Sequence, residues 1–201
     1  MQTEPEDGRP ARLRVLIAED EALIRLDLRE MLRDEGYEVV GEARDGQEAI
    51  ELAEALQPDL IILDVKMPRV DGLSAAEVIG ERRIAPIVVL SAFSQRDLID
   101  RALKAGVMAY LTKPFSQADL TPAIEMAYAR FAEMRALEAE IGDLNERIET
   151  RKLIERAKSY LMTVHKLSEP EAFRFIQRSA MERRTSMRLV AEAVLDHSLR
   201  G

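Results

Sequence analysis

A chain of 201 residues, 47% hydrophobic and 33% charged, suits one medium domain with a smaller one appended better than a single large core. It has no cysteine, which excludes disulfides, thiolate metal sites and thiol redox chemistry, and this suits a reducing cytoplasm. The net charge of −8 is unevenly split: residues 151–201 hold 11 Lys and Arg against 6 Asp and Glu, and residues 1–150 hold 18 against 31. A basic end on an acidic chain is expected where only that end meets a polyanion, although a solvated helical surface would show the same excess.

The acidic residues 1–8 lack the apolar stretch of a signal segment, and no later run reaches membrane-spanning length. The expectation is a cytoplasmic, soluble protein with a flexible 1–11 segment and no membrane contact. Residues 13–18, 38–40, 59–63, 86–90 and 107–111 read as strands, the better ones continuously apolar because both sheet faces are covered. Residues 22–33, 47–56, 73–82 and 96–104 between them carry apolar side chains at helical spacing. This alternation predicts an α/β fold, a doubly wound five-stranded parallel sheet, occupying residues 12–121.

A fifth helix is predicted to open with Ser116 as N-cap, Asp119 three residues on and Pro122 in the early turns. No stop signal follows until well past Glu140. Phe131, Met134, Leu137, Ile141, Leu144 and Ile148 recur every three or four residues, so residues 122–150 form a linker helix with one apolar stripe. That stripe suits a dimeric coiled coil, or a helix packed on its own chain; so charged a helix has little of its own core to cover, which favours the dimer. From Arg151 a small helical domain is expected, covering 151–201. Ile154, Ala157, Leu161 and Val164 form one stripe, and Ser168 and Glu171 form a capping box that leads to Phe173, Ile176 and Ala180. Thr185 or Ser186 caps a last helix with Leu189, Val190, Ala193 and Val194. Met162, Met181 and Met187 also fall at core-like spacing, and His165 and His197 read as surface residues.

In a parallel sheet the residues just after the strands converge at one edge. Here they are Glu19, Asp20 and Glu21, then Asp64, then Ser91, then Thr112, Lys113 and Pro114. Clustered carboxylates repel unless a hard cation lies between them, and carboxylates, water and a backbone carbonyl suit Mg²⁺. With one hydroxyl and one ammonium added, such a site is built for phosphoryl transfer. Alone, each residue has an ordinary explanation as a cap, turn or solvated charge; their joint placement is what argues for chemistry.

The segments 16–21, 62–72, 90–92 and 106–115, in this order and at these separations, resemble a bacterial receiver domain of the flavodoxin-like class. The resemblance implies that Asp64 accepts a phosphoryl group from a sensor histidine kinase. It implies Mg²⁺ bound by Asp20, by Asp64 and by the backbone carbonyl of Lys66, with Glu19 supporting through water. Ser91 and Lys113 would bind phosphoryl oxygens, Lys113 being followed by a cis peptide to Pro114, and Tyr110 would be the aromatic switch. Asp71 and Gly72 are assigned to turn and helix initiation. The chemistry is that of a switch, and the protein is not expected to be an enzyme.

Segments 154–162, 167–173, 179–181 and 189–194 are similar to the ANTAR domain, a three-helix RNA-binding module of transcription antiterminators. Ser159 and Tyr160 depart from that pattern, which leaves Tyr160 either a core residue or a base-stacking platform. The resemblance implies binding of RNA hairpins in nascent transcripts, and two hairpins suit a homodimer. Lys158, Arg174, Arg178, Arg183 and Arg184 are the candidate RNA contacts. A DNA-binding output and a protein-interaction output stay open as alternatives, although no helix–turn–helix pair with a basic recognition helix stands out.

Overall fold

The computed structural model describes residues 12–93, 95–196 and 198. The expected flexible segment 1–11 and the surface reading of His197 lie outside the described residues. The chain divides into two compact units, Met1–Arg135 and Ala136–Gly201.

In the first unit, β1 (Arg14–Ala18), α1 (Ala22–Asp34), β2 (Glu38–Ala43), α2 (Gly46–Leu56), β3 (Leu60–Asp64), α3 (Gly72–Glu81), β4 (Ile87–Ser91), α4 (Arg96–Lys104) and β5 (Ala109–Thr112) alternate before the long α5 (Gln117–Val164). All strand pairs are parallel, in the order β2-β1-β3-β4-β5, which is the doubly wound arrangement expected. β3 and β4 are buried along their whole length, because helices cover both faces of the sheet. On one face Leu16, Ile61, Leu63 and Val89 pack with Leu73, Ile79 and Ala102 of α3 and α4. On the other, Val15, Ile17, Ile62 and Val88 pack with Leu28, Leu32, Leu120 and Ile124 of α1 and α5.

β2 runs to Ala43, three residues beyond its expected end at residue 40. Within the extension, a Cβ on Gly41 would stand 2.9 Å from Leu16 Cδ1 and 2.7 Å from Leu56 Cδ1, so a larger residue there would make these leucine ends shift. The register slips once between Val15 and Leu16, which accommodates the extra length.

In the second unit, the end of α5 packs with α6 (Glu169–Glu182) and α7 (Met187–Leu195) around Ala157, Leu161, Ala172, Ile176, Val190 and Val194. Ser168 and Glu171 form the expected capping box, and Ser186, not Thr185, caps α7 by accepting from Leu189 N–H at 3.3 Å. Several expected core residues instead face solvent: Val164, Phe173, Leu189, Met162 and Met181 are exposed. The helices meet through small residues, Ala157, Ala172, Ser179, Ala180 and Ala191, whose size allows close approach. The backbone passes residue 151 inside α5 without interruption.

Candidate functional site

β1 and β3 end side by side, Ala18 pairing with Leu63, so the residues that follow meet at the carboxyl edge of the sheet. Glu19 and Asp64 are buried and Asp20 is exposed. Each offers a carboxylate oxygen within 4.8 Å of the other two. Lys113, delivered by β5 and followed by the expected cis peptide to Pro114, places Nζ 2.6 Å from Glu19 Oε2 and 2.7 Å from Asp64 Oδ1. Lys66 N–H donates to Asp64 Oδ2 at 3.2 Å, which fixes the second carboxylate oxygen.

Electrostatics follow from the burial. Burial pushes Glu19 upward from the usual carboxylate range, the Lys113 hydrogen bond opposes it, and the Asp64 charge adds to the rise. Asp64 is raised for the same first reason, again against Lys113. Burial would lower the Lys113 ammonium, but hydrogen bonds to Asp64 and Glu19 outweigh it and the net shift is upward. Two buried carboxylates and a third beside them share one ammonium, so the cluster is short of positive charge. Hard oxygen donors in that condition fit Mg²⁺, which Glu19, Asp20 and Asp64 would hold. When bound, such an ion neutralises charge on a transferring phosphoryl group.

Ser91, the last residue of β4, is buried, and its Oγ accepts from Phe93 N–H at 3.1 Å. Tyr110 on β5 donates its hydroxyl hydrogen to the Phe93 carbonyl. Phe93 therefore ties Ser91 to Tyr110, a link that two residues on different strands gave no hint of in the sequence.

Two further supports were not visible from motif spacing. Arg25 on α1 donates from Nη1 to the Glu19 carbonyl at 2.6 Å and from Nε to Glu42 Oε2 at 3.2 Å. Glu19 N–H in turn donates to the Ala43 carbonyl at 3.1 Å, so the acidic loop is gripped from both sides. Gly72, expected only to start a helix, lies against Asp64: a Cβ there would stand 1.9 Å from the Asp64 carbonyl oxygen. Asp71 caps α3 by accepting from Ser74 N–H at 2.9 Å, in keeping with the role read for it.

In the second unit, Arg174 and Arg178 are exposed one turn apart on α6, beside a groove of about 460 Å³ that Leu167, Phe175 and Met181 also line. Arg183 is the C-cap of α6, and Arg184 follows with φ of 51°, both exposed. Lys158 is placed differently. It is buried, with Nζ 2.7 Å from Glu169 Oε1 and 3.0 Å from Glu155 Oε2, and these hydrogen bonds, Glu169 first, raise its pKa. It joins α5 to α6. Tyr160 is half-buried against the core of this unit and meets His165 edge-on at 6.1 Å between ring centroids; His165 itself is exposed.

Among the described residues, no helix is long and apolar enough to cross a membrane. Residues 15–125 match the response regulator receiver domain family and residues 142–195 match the ANTAR domain family. The chain is 68% identical over 183 residues to the transcriptional regulatory protein PdtaR of Mycobacterium tuberculosis H37Rv, covering 91% of this chain and 89% of that protein. It is 38% identical over 112 residues to the chemotaxis protein CheY of Thermotoga maritima, covering 55% of this chain and 93% of CheY. The signal receiver domain of the response regulator NarL from Mycobacterium tuberculosis superposes with a TM-score of 0.57 at 30% identity, covering 60% of this chain and 98% of that one. The fold, the acid cluster with its lysine and these matches make the chain a member of the response regulator family, a receiver domain carrying an ANTAR output.

Proposed function

We propose that this response regulator is switched by phosphorylation of Asp64 and, when switched, binds RNA hairpins in nascent transcripts as a cytoplasmic transcription antiterminator. The observation that carries the reading is the Lys113 ammonium held between Glu19 and Asp64, beside an Asp20 carboxylate. In this reading Asp64 attacks the phosphorus of a phosphohistidine on a sensor kinase. The N–P bond breaks, an O–P bond forms, and the imidazole leaves as the neutral base after taking up a proton. Mg²⁺, held by Glu19, Asp20, Asp64 and the Lys66 carbonyl, would neutralise the phosphoryl oxygens.

The added phosphoryl group competes for two contacts seen in the resting geometry. Lys113 exchanges the Asp64 carboxylate for a phosphoryl oxygen, and the Ser91 hydroxyl leaves the Phe93 N–H for another. Because Phe93 also holds the Tyr110 hydroxyl, moving Ser91 releases Tyr110, the aromatic switch. The domain assignment that goes with this reading is a receiver at 12–121, a linker helix at 122–150 and an RNA-binding domain at 151–201. The exposed stripe of the linker supports a homodimer in the active state.

Arg174, Arg178, Arg183 and Arg184 are the proposed RNA contacts, their exposed guanidiniums suited to phosphate and base edges. Lys158 joins them only by exchanging Glu155 and Glu169 for phosphate oxygens. The test is mobility shift with a hairpin RNA against duplex DNA. Wild type and Asp64→Asn are compared, each with and without acetyl phosphate and Mg²⁺. Tighter hairpin binding by the phosphorylated wild type alone is expected; equal binding by all four samples refutes the switch, and preference for the duplex refutes RNA as the target.

A further inference from the structure

Leu137, Ile141, Leu144 and Ile148 on α5 are 54, 57, 48 and 51% exposed, an apolar face that nothing among the described residues covers. Counting heptads with Met134 at position a puts Ile141 and Ile148 at a and Leu137 and Leu144 at d. The 3.5-residue repeat holds from Met134 to Ile148, and Phe131 falls outside it at e. The seam ends where Arg151 takes the next d position. An unbroken apolar a and d seam is what a partner helix covers in a coiled coil, so the occupant that matches this face best is a second identical helix.

Direction is decided by the residues flanking the seam, positions e and g. Side by side in the same direction, each g residue faces the e residue five positions later on the other chain. That places Glu133 against Glu138, Glu140 against Asn145 and Arg147 against Lys152: two like-charge contacts and no attractive one. In opposite directions, g faces g and e faces e. The register with most apolar layers sets Leu137 opposite Ile148 and Ile141 opposite Leu144, and it brings Glu140 opposite Arg147 twice by symmetry. The e positions then oppose Glu138 to Asn145, without like charges. Shifting by one heptad loses apolar layers to Arg130 or Arg151. Glu140 and Arg147 are both exposed and have no salt-bridge partner among the described residues, so both are available.

We propose that a second copy of this chain docks on the 134–148 face of α5 in antiparallel register, locked by reciprocal Glu140–Arg147 pairs. The proposal rests on the self-association included in the proposed function and adds its direction and register.

Because the chain has no cysteine, introduced thiols report the direction without background. The full chain is made as Leu137→Cys and as Ile148→Cys, with and without acetyl phosphate and Mg²⁺, under mild oxidation. Antiparallel pairing predicts a mixed disulfide when the two variants are combined and little disulfide from either alone. Self-linking of either single variant at the same or greater yield means the helices run parallel and overturns the proposal while leaving the dimer intact. A chain monomeric by sedimentation in both states overturns the dimer and the register together.

Charge reversal gives an independent measure. Glu140→Arg is expected to weaken self-association about tenfold, and adding Arg147→Glu to restore it. In a parallel pair residue 140 faces Asn145, so an unchanged Glu140→Arg variant also overturns the proposal.

Discussion

Gly72→Ala should damage the phosphoacceptor edge although residue 72 carries no chemistry. The added Cβ would lie 1.9 Å from the Asp64 carbonyl oxygen and 2.8 Å from its carbonyl carbon, where real contacts stay beyond 3.0 Å, so at least 1.1 Å of movement is needed. Neither side yields easily. Gly72 N–H is bonded to the Val65 carbonyl at 3.0 Å, and Asp64 ends a strand buried along its whole length. Overpacking between two pieces of backbone belongs at the upper end of the usual range, about 3 kcal/mol. For a unit of this size that lowers the receiver melting temperature by about 10 °C. A 1 Å displacement of Asp64 should also slow phosphorylation by acetyl phosphate about a hundredfold. The matched control is Gly142→Ala. It lies inside α5 with no heavy atom within 4 Å of its Cβ position, so the same substitution should stabilise by about 1 kcal/mol through helix propensity. Calorimetry and phosphorylation kinetics on both variants decide the matter. A Gly72→Ala protein that melts within about 2 °C of wild type and phosphorylates normally would refute the close-approach argument.

Lys113→Ala leaves Glu19 and Asp64 buried without their cation, and should cost about 3 kcal/mol in urea unfolding at neutral pH without divalent ions. Both carboxyls are raised in the folded state, so their contribution to stability is present below the ordinary values of 4.5 and 3.8 and is lost as pH rises through the folded values. The deficit of Lys113→Ala should therefore shrink on acidification, and a deficit independent of pH would count against the ion pair. In the second unit the sign is opposite. Lys158 holds Glu169 below its ordinary 4.5 and Ser168 holds Glu171 below it, so the stability they contribute is present above that value and lost as pH falls. Circular dichroism should show α6 helicity declining at acid pH, less steeply in Glu171→Gln; identical acid curves would refute the capping role. Replacing both Arg174 and Arg178 by Ala should weaken hairpin binding about tenfold and reduce the salt slope, whereas an unchanged slope would move the RNA contact off this face.

The receiver was legible because its information is local and strand-centred. β1, β3 and β4 announce themselves as uninterrupted apolar runs, and parallel order then forces Glu19, Asp20, Asp64, Ser91 and Lys113 to one edge. What stayed hidden depends on contacts between backbone and distant groups: Arg25 on the Glu19 carbonyl, Gly72 against the Asp64 carbonyl, Phe93 between Ser91 and Tyr110. No periodicity encodes these, since each is a hydrogen bond or close approach to main chain whose position only the folded sheet defines. In the second unit the helices were legible, and so was much of their inward face, including Ala157, Leu161, Ile176, Ala180, Val190 and Val194. Apolar periodicity weights large side chains and so also favoured Val164, Phe173 and Leu189, which are exposed, whereas close helix packing buries the small Ala172, Ser179 and Ala191. The same rule explains the uneven fate of the candidate contacts. An arginine on an outer face stays exposed to a polyanion, as Arg174 does and as Arg178 does beside Glu182, but a lysine one residue from Ala157 is carried into the helix junction and needs carboxylates there, as Lys158 has in Glu155 and Glu169.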